Sequence, residues 1–171
     1  LLLFSFSIPA FSYVQRALDI KTTLVATGEK ALGQFAQAKD NLSSSQFDKA
    51  AVDFSDSYQI LADANRDIAH IGGNFSEILR FVPGISKIAS ANYVVSAGQH
   101  FSLAGKSLAE SAKSLSSIGN PLDSVNQINQ PSLTDLFLNL RRGIEQSSGE
   151  LSAAQDDLDK VNLDDLPLET R

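Results

Sequence analysis

The side chains best suited to acid–base or metal chemistry in this sequence are two histidines, His70 and His100. Neither belongs to a His-x-x-x-His or Glu-x-x-His spacing, so a zinc site would need ligands that the sequence does not place beside them. Surface histidines are the simpler interpretation. The adjacent Arg141 and Arg142 could bind an anion, although a solvated pair explains them more simply. We therefore expect no metal and no cofactor.

The sequence also lacks the patterns of nucleophilic catalysis. Serine is plentiful, but a nucleophilic serine needs a positioned base, and the strained Gly-x-Ser-x-Gly turn does not occur. The chain has no cysteine, which excludes thiolate catalysis, disulfides and cysteine-ligated metals. Tyr58 and Tyr93 are expected to be core or rim aromatics rather than ligand anchors. The sequence thus predicts no catalytic residue, and the protein is not expected to be an enzyme.

Composition indicates one helical domain of ordinary polarity. The 171 residues are 43% hydrophobic and include ten glycines and five prolines, which is typical of a folded chain with long helices. The net charge is −6 without a basic cluster, so nucleic acid is not an expected partner. Acidic residues concentrate from Glu150 onward, which favours a solvated helix face and an acidic tail or linker over residues 163–171.

The stretch that organises the chain is an apolar ladder with alternating steps of four and three residues. This spacing predicts one long helix over residues 46–82 with a buried seam. Gly72-Gly73 predicts a kink near residue 72, and Asn65 either fixes the register of the seam or is partly exposed. The ladder consists of Phe47, Ala51, Phe54, Tyr58, Leu61, Asn65, Ile68, Gly72, Phe75, Leu79 and Val82.

Three further helices are predicted over residues 10–42, 85–117 and 132–161. Ser45-Gln46-Phe47-Asp48 resembles a capping box for the second helix, and Ser132 is the expected N-cap of the fourth. No strand pattern occurs, so we expect an all-α fold, an elongated antiparallel four-helix bundle over residues 15–162. The third and fourth seams are Val94, Gly98, Phe101, Gly105, Leu108, Ala112 and Leu115, and Leu133, Phe137, Leu140, Ile144, Ser147, Leu151, Ala154, Leu158 and Val161.

The first fifteen residues carry no charge before Arg16. The apolar run is shorter than the ~20 residues that span a bilayer, so three interpretations compete. Residues 1–14 are the second half of a transmembrane helix, the end of a signal peptide, or part of a soluble core. Tyr13 followed by Arg16 and Lys21 fits a boundary between lipid and water, and the first interpretation is the one expected here.

Helix lengths predict a second contact with the bilayer. The first helix would rise roughly 40 Å from Gln15 to Leu42, and the second would descend roughly 55 Å, at about 1.5 Å per residue. The far end of the second helix would thus return to the membrane, unless its apolar residues fold inward as an ordinary capped end. The expected membrane-contact tip comprises Leu79, Arg80, Phe81, Val82, Ile85, Lys87 and Ile88.

Three segments together resemble a known family. They are Ser45-Gln46-Phe47-Asp48-Lys49-Ala50-Ala51, Ile78-Leu79-Arg80-Phe81-Val82-Pro83-Gly84-Ile85 and Ala97-Gly98-Gln99-His100, placed after an apolar helix. The chain is similar to the membrane-proximal helical region of bacterial envelope proteins grouped as domain-of-unknown-function family four thousand and twelve. The resemblance implies a region that follows a single transmembrane helix and precedes a larger extracytoplasmic domain, and it transfers no catalytic residue.

Two functions are consistent with these observations. The first is a non-enzymatic, membrane-anchored helical stalk or protein-interaction domain outside a bacterial cell membrane, with the bilayer and an unknown protein as partners. The alternative is a four-helix ligand-binding sensor module like those of chemoreceptors. The alternative predicts a dimer with a small-molecule pocket between helices.

Overall fold

The computed structural model describes residues 7–72, 85–116 and 132–165, which form four α-helices. Helix α1 covers Ser7–Ser43, α2 Phe47–Gly72, α3 Ile85–Ser116 and α4 Leu133–Leu158, followed by a 3-10 turn at Leu163–Asp165. Within these ranges there is no strand. The prediction of an all-helical fold with four helices packed against each other is confirmed.

A tight turn joins α1 to α2 at Ser45. The backbone N–H of Ser45 donates to Leu42 O over 3.0 Å, and that of Gln46 donates to Asn41 O over 2.7 Å. These two bonds are the pair that defines a Schellman motif. In this motif the first residue beyond the helix has left-handed backbone angles. Ser45 has φ 56° accordingly. Ser45 therefore ends α1 and does not act as the N-cap that the sequence pattern suggested.

The start of α4 follows the sequence prediction. The Ser132 side chain accepts the backbone N–H of Asp135 over 3.1 Å, which identifies Ser132 as the N-cap. The Asp135 carboxylate lies in the first turn, where the helix dipole favours a negative charge. The prediction that Ser132 is the N-cap of the fourth helix is therefore confirmed.

The helices pack in chain order, with α2 against α1, α3 against α2 and α4 against α3. Helix α1 also reaches α3, where the rings of Phe35 and Phe101 meet edge to face with centroids 5.2 Å apart. No packed interface joins the described parts of α1 and α4. Helix α3 is therefore the central element, with α2 and α4 on different sides.

Small side chains bring α2, α3 and α4 close together. Most buried apolar residues are alanines, and Ser57, Ser102 and Ser107 are also buried. A Cβ atom added at Gly98 would lie 2.8 Å from Leu61 Cδ1, and one at Gly105 would overlap the Phe54 ring. Glycine is needed at position 105 because an aromatic ring from α2 occupies the space of a side chain.

The prediction of a transmembrane helix is wrong, as is the predicted single-pass location in a bacterial cell membrane. Among the helices at residues 7–72, 85–116 and 132–158, none is both long and apolar enough to cross a bilayer. The physical reason is visible in α1, where Arg16, Asp19 and Lys21 follow within a few residues of the apolar start.

Several predictions fall on parts of the chain outside the described residues. Residues 1–6, the continuation of the second helix beyond Gly72 and the tail after Asp165 are among them. So are Leu79, Arg80, Phe81 and Val82 of the expected membrane-contact tip, and the side chains of Ile85, Lys87, Ile88 and His70.

Candidate functional site

The predicted seam of α3 is only partly covered by neighbouring helices. Gly98 and Gly105 lie against α2, and His100 and Ser107 lie against α4. Between these two contact sides runs a row of apolar residues that remain about half exposed, with Phe101 at 48%. We call this row the α3 stripe; it consists of Val94, Phe101, Leu108 and Leu115.

Helix α4 carries a second exposed row beside the face that it packs on α3. Its buried residues are Leu136, Gly143, Ser147 and Ala154. The first two members of the exposed row follow Leu136 and Gly143 by one residue and the last two follow Ser147 and Ala154 by four, which is about 40–100° around the helix from the buried face. Phe137 is 65% exposed. We call this row the α4 stripe; it consists of Phe137, Ile144, Leu151 and Leu158.

Helix α1 adds a third apolar element, the α1 pair, Val25 and Leu32. Leu32 is 66% exposed although it lies one turn from Phe35, which contacts both Phe54 and Phe101. The three elements together comprise ten half-exposed apolar side chains. Soluble monomers rarely expose contiguous apolar patches larger than a few hundred Å².

A cluster of polar side chains links α3 to α4 near His100. His100 Nδ1 lies 2.7 Å from Glu150 Oε2, and His100 Nε2 lies 3.9 Å from Asp157 Oδ2. Lys160 Nζ lies 2.9 Å from Asp157 Oδ1 and 5.4 Å from the centre of the Tyr93 ring. The Asp157 carboxylate thus contacts a lysine of its own segment and a histidine across the helix interface.

The electrostatics of this cluster favour the ionised form of Asp157. A hydrogen bond from the Ser96 side chain lowers the pKa of Asp157, and the hydrogen bond from Lys160 lowers it further, against the opposing effect of burial. The Asp157 side chain is 14% exposed. The same contact raises the pKa of Lys160. The cluster therefore clamps the C-terminal end of α4 onto α3.

A shallow cleft lies elsewhere between α3 and α4, with a volume of about 200 Å³. Ser107, Ser111, Asn139 and Arg142 are among its lining residues. Arg142 Nη1 donates to Asn139 Oδ1 over 2.9 Å. Binding sites for small molecules usually measure about 300 Å³ or more, so the cleft is smaller than the pocket that a ligand sensor would need.

The residues singled out from the sequence are spread over the structure. His100 lies between α3 and α4, while Arg141 pairs with Glu145 of its own helix over 2.7 Å. Asn65 Nδ2 lies 3.4 Å from Gln99 Oε1 of α3 and is partly buried. Tyr93 contacts Lys160. His100 and Tyr93 thus both belong to the cluster around Asp157, whereas Asn65 and Arg141 lie elsewhere. No cluster of metal-binding side chains occurs among the described residues.

Sequence reasoning missed the partners of His100, because Glu150 lies fifty residues away and shares no motif with it. It also treated the α3 and α4 seams as buried, whereas part of each seam is exposed. The available signal was the seven-residue spacing within each stripe, which is typical of helices that pack on other helices.

Comparisons with known proteins add no relative. No family model matches the sequence, and searches of the curated proteins and of the solved structures return no match. The resemblance to the bacterial envelope family therefore stays a prediction.

Proposed function

We propose that this chain is a non-enzymatic protein-interaction domain that binds its partner through an apolar groove bordered by α1, α3 and α4. The α1 pair, the α3 stripe and the α4 stripe define this groove, which we call the open groove. The observation that carries the proposal is the exposure of all ten of these apolar side chains.

Antiparallel packing of successive helices is part of the proposal. The order of contacts supports it, because Asp48 lies 2.5 Å from Lys113 while the later residue Leu61 lies beside the earlier residue Gly98. The α3–α4 contacts follow the same order, with Ser107 bonded to Gly143 and His100 beside Glu150.

This packing brings the two stripes to one side. Viewed along the axis of α3, the α3 stripe lies about 100° from the direction of α4, because Phe101 and Leu108 each follow an α4-contacting residue by one position and each residue advances about 100° around a helix. Helix α4 runs in the opposite direction, so its stripe is displaced to the same side of the pair. Leu32 of α1 is 66% exposed and lies one turn from Phe35, which contacts Phe101 of the α3 stripe. A helix placed over the two stripes would thus lie beside α1 as well.

The groove favours an apolar helix as the bound element. Helix-in-groove recognition uses anchors spaced by three, four or seven residues, and both stripes repeat every seven residues. Arg141, at the edge of the α4 stripe, already pairs with Glu145. A partner bound over the groove would therefore bury few charged groups that lack an oppositely charged neighbour.

Photo-crosslinking inside the cells that express the protein tests this function. Benzoylphenylalanine replaces Leu151 in one variant and Lys106 in the control, because Lys106 lies on the side of α3 away from Phe101. We expect a protein adduct from the Leu151 position that is absent from the Lys106 position. Equal labelling at both positions, or no adduct at either, would overturn the interaction function.

A further inference from the structure

We infer that the partner in the open groove is a second copy of this chain, whose α4 lies in the groove of the first while the first copy's α4 lies in the groove of the second. This inference rests on the proposed interaction function and names its partner. The two copies would share a two-fold axis that runs parallel to the helices.

The exposed area is sufficient for a stable dimer. Each of the ten groove side chains is about half exposed; the two phenylalanines have full surfaces of about 150–250 Å², and the valine, leucine and isoleucine side chains are somewhat smaller. Together they offer on the order of 1,000 Å² per copy, whereas a stable interface buries about 800 Å² per partner. A single short peptide helix would leave part of this surface in water.

The spacing of the α4 stripe suits pairing with itself. Ile144 and Leu151 lie seven residues apart on the exposed side of α4. A two-fold axis parallel to α4 brings each of them against the same residue of the second copy, as in a parallel two-stranded coiled coil. The proposed arrangement is the parallel one, in which identical apolar residues of the two copies lie opposite each other.

Charges at the edge of the groove are complementary in this arrangement. Phe35 lies level with Phe101, and His100 lies level with Glu150. One turn beyond Phe35 along α1, Lys39 then has the height of Glu145 on α4. An axis parallel to the helices preserves height, so the proposed dimer sets Lys39 of one copy at the level of Glu145 of the other, which also pairs with Arg141 of its own helix. Both residues are exposed in the single chain.

Disulfide trapping tests the dimer directly, because the chain has no cysteine of its own. The variants Leu151→Cys and Ile144→Cys are oxidised under mild conditions, in parallel with the control variant Lys106→Cys. The groove positions should cross-link about tenfold faster than the control, since a disulfide needs Cα atoms within about 7 Å. A mixture of Lys39→Cys and Glu145→Cys should yield the mixed dimer, which only a contact between copies can form.

Sedimentation of the unmodified chain completes the test. A dimer at micromolar concentration that cross-links through Leu151→Cys supports the inference. A monomer, or a dimer that cross-links at Lys106→Cys instead, overturns it. A monomer whose Leu151 position labels a different protein in cells overturns the second copy but leaves the interaction function standing. A monomer that floats with anionic phospholipid vesicles and labels no protein overturns both.

Discussion

Gly143 lies at a close approach between α3 and α4. A Cβ atom there would overlap Ser111 Oγ and lie 3.3 Å from Ser107 O. We expect Gly143→Ala to lower the free energy of unfolding by about 1–3 kcal/mol, the usual cost of overpacking. Urea unfolding followed by circular dichroism measures the change.

The matched control is Gly149→Ala on the same helix, where nothing lies within 4 Å of the added methyl group. Alanine favours a helix over glycine by up to about 1 kcal/mol, so this variant should be as stable as the unmodified chain or more so. Equal losses at both glycines would contradict the close contact of α3 with α4.

Ser45 holds a backbone conformation that serine tolerates poorly. Its φ of 56° lies in the left-handed region, where glycine has no steric penalty. We expect Ser45→Gly to raise the thermal unfolding midpoint, by a free energy of up to about 1 kcal/mol. The adjacent Ser44→Gly is the control and should not stabilise the protein. A stabilisation at both positions alike would point away from the Schellman turn.

The cluster around Asp157 makes stability depend on pH in the acidic range. The pKa of Asp157 is lowered in the folded protein by Ser96 and then by Lys160. Its contribution is therefore fully present above the unfolded pKa of about 3.9 and is lost as pH falls through the folded pKa. We expect Asp157→Asn to lower stability at neutral pH and to flatten the decline of unfolding free energy in acid.

Urea unfolding between neutral pH and the acid limit of the fold measures this effect. Asp56→Asn, an exposed carboxylate on α2, is the control for removing one acidic group. If Asp56→Asn flattens the acid decline as much as Asp157→Asn does, the contact with Ser96 and Lys160 is not its source.

Within helix α4, two leucines that lie two residues apart differ strongly in solvent exposure. Leu136 is 6% exposed against α3, whereas Leu138 is 45% exposed. We expect Leu136→Ala to cost about 2–5 kcal/mol, as buried leucines usually do. Leu138→Ala should cost about 1 kcal/mol or less, since surface substitutions away from such contacts are nearly neutral. Thermal unfolding of both variants compares them, and similar losses would show that α4 does not dock through Leu136.

Most features of the individual helices could be predicted from the sequence. Apolar spacing predicted four helices without strands, and Ser132 with Asp135 correctly predicted the start of α4. Ser45 was misread, because a serine-rich turn fits both an N-cap and a left-handed C-terminal residue. Periodicity also shows which residues share a helix face, but not whether the helix that covers that face belongs to the same chain. For that reason the exposure of Phe101 and Ile144 could not be foreseen.

The interface between α3 and α4 could not be predicted from the sequence for a different reason. It is built from Ser107, Ser111 and Gly143, and small polar residues do not stand out in a hydrophobic pattern. The Asp157 cluster joins residues distant in sequence, and only the packed helices bring them together. The missed features therefore depend on which helix neighbours which.

At the scale of the whole molecule, the order of packing explains where the apolar surface comes from. Each helix packs on the next, and α1 and α4 do not close the bundle on themselves within the described residues. In a closed four-helix bundle those two helices would cover each other's seams. Here the α1 pair and the α4 stripe remain exposed, and in the proposed dimer α4 of the second copy covers them.

The dimer predicts a concentration-dependent stability. When only the folded state associates, mass action raises the unfolding midpoint as protein concentration rises. We expect the thermal midpoint of the unmodified chain to increase over a hundredfold range of concentration, and Leu151→Ser to remove that increase. Because Leu151 is 43% exposed in the single chain, the same substitution should change the stability of the isolated monomer little.

Val52→Ser provides the matched control. Val52 is 57% exposed, so it offers as much apolar surface as Leu151, but it lies on α2 opposite Leu61 and far from the open groove. Its variant should keep the concentration dependence of the unmodified chain, because the α4 contacts remain intact. A midpoint independent of concentration in the unmodified chain, or one that both serine substitutions affect equally, would contradict pairing through α4.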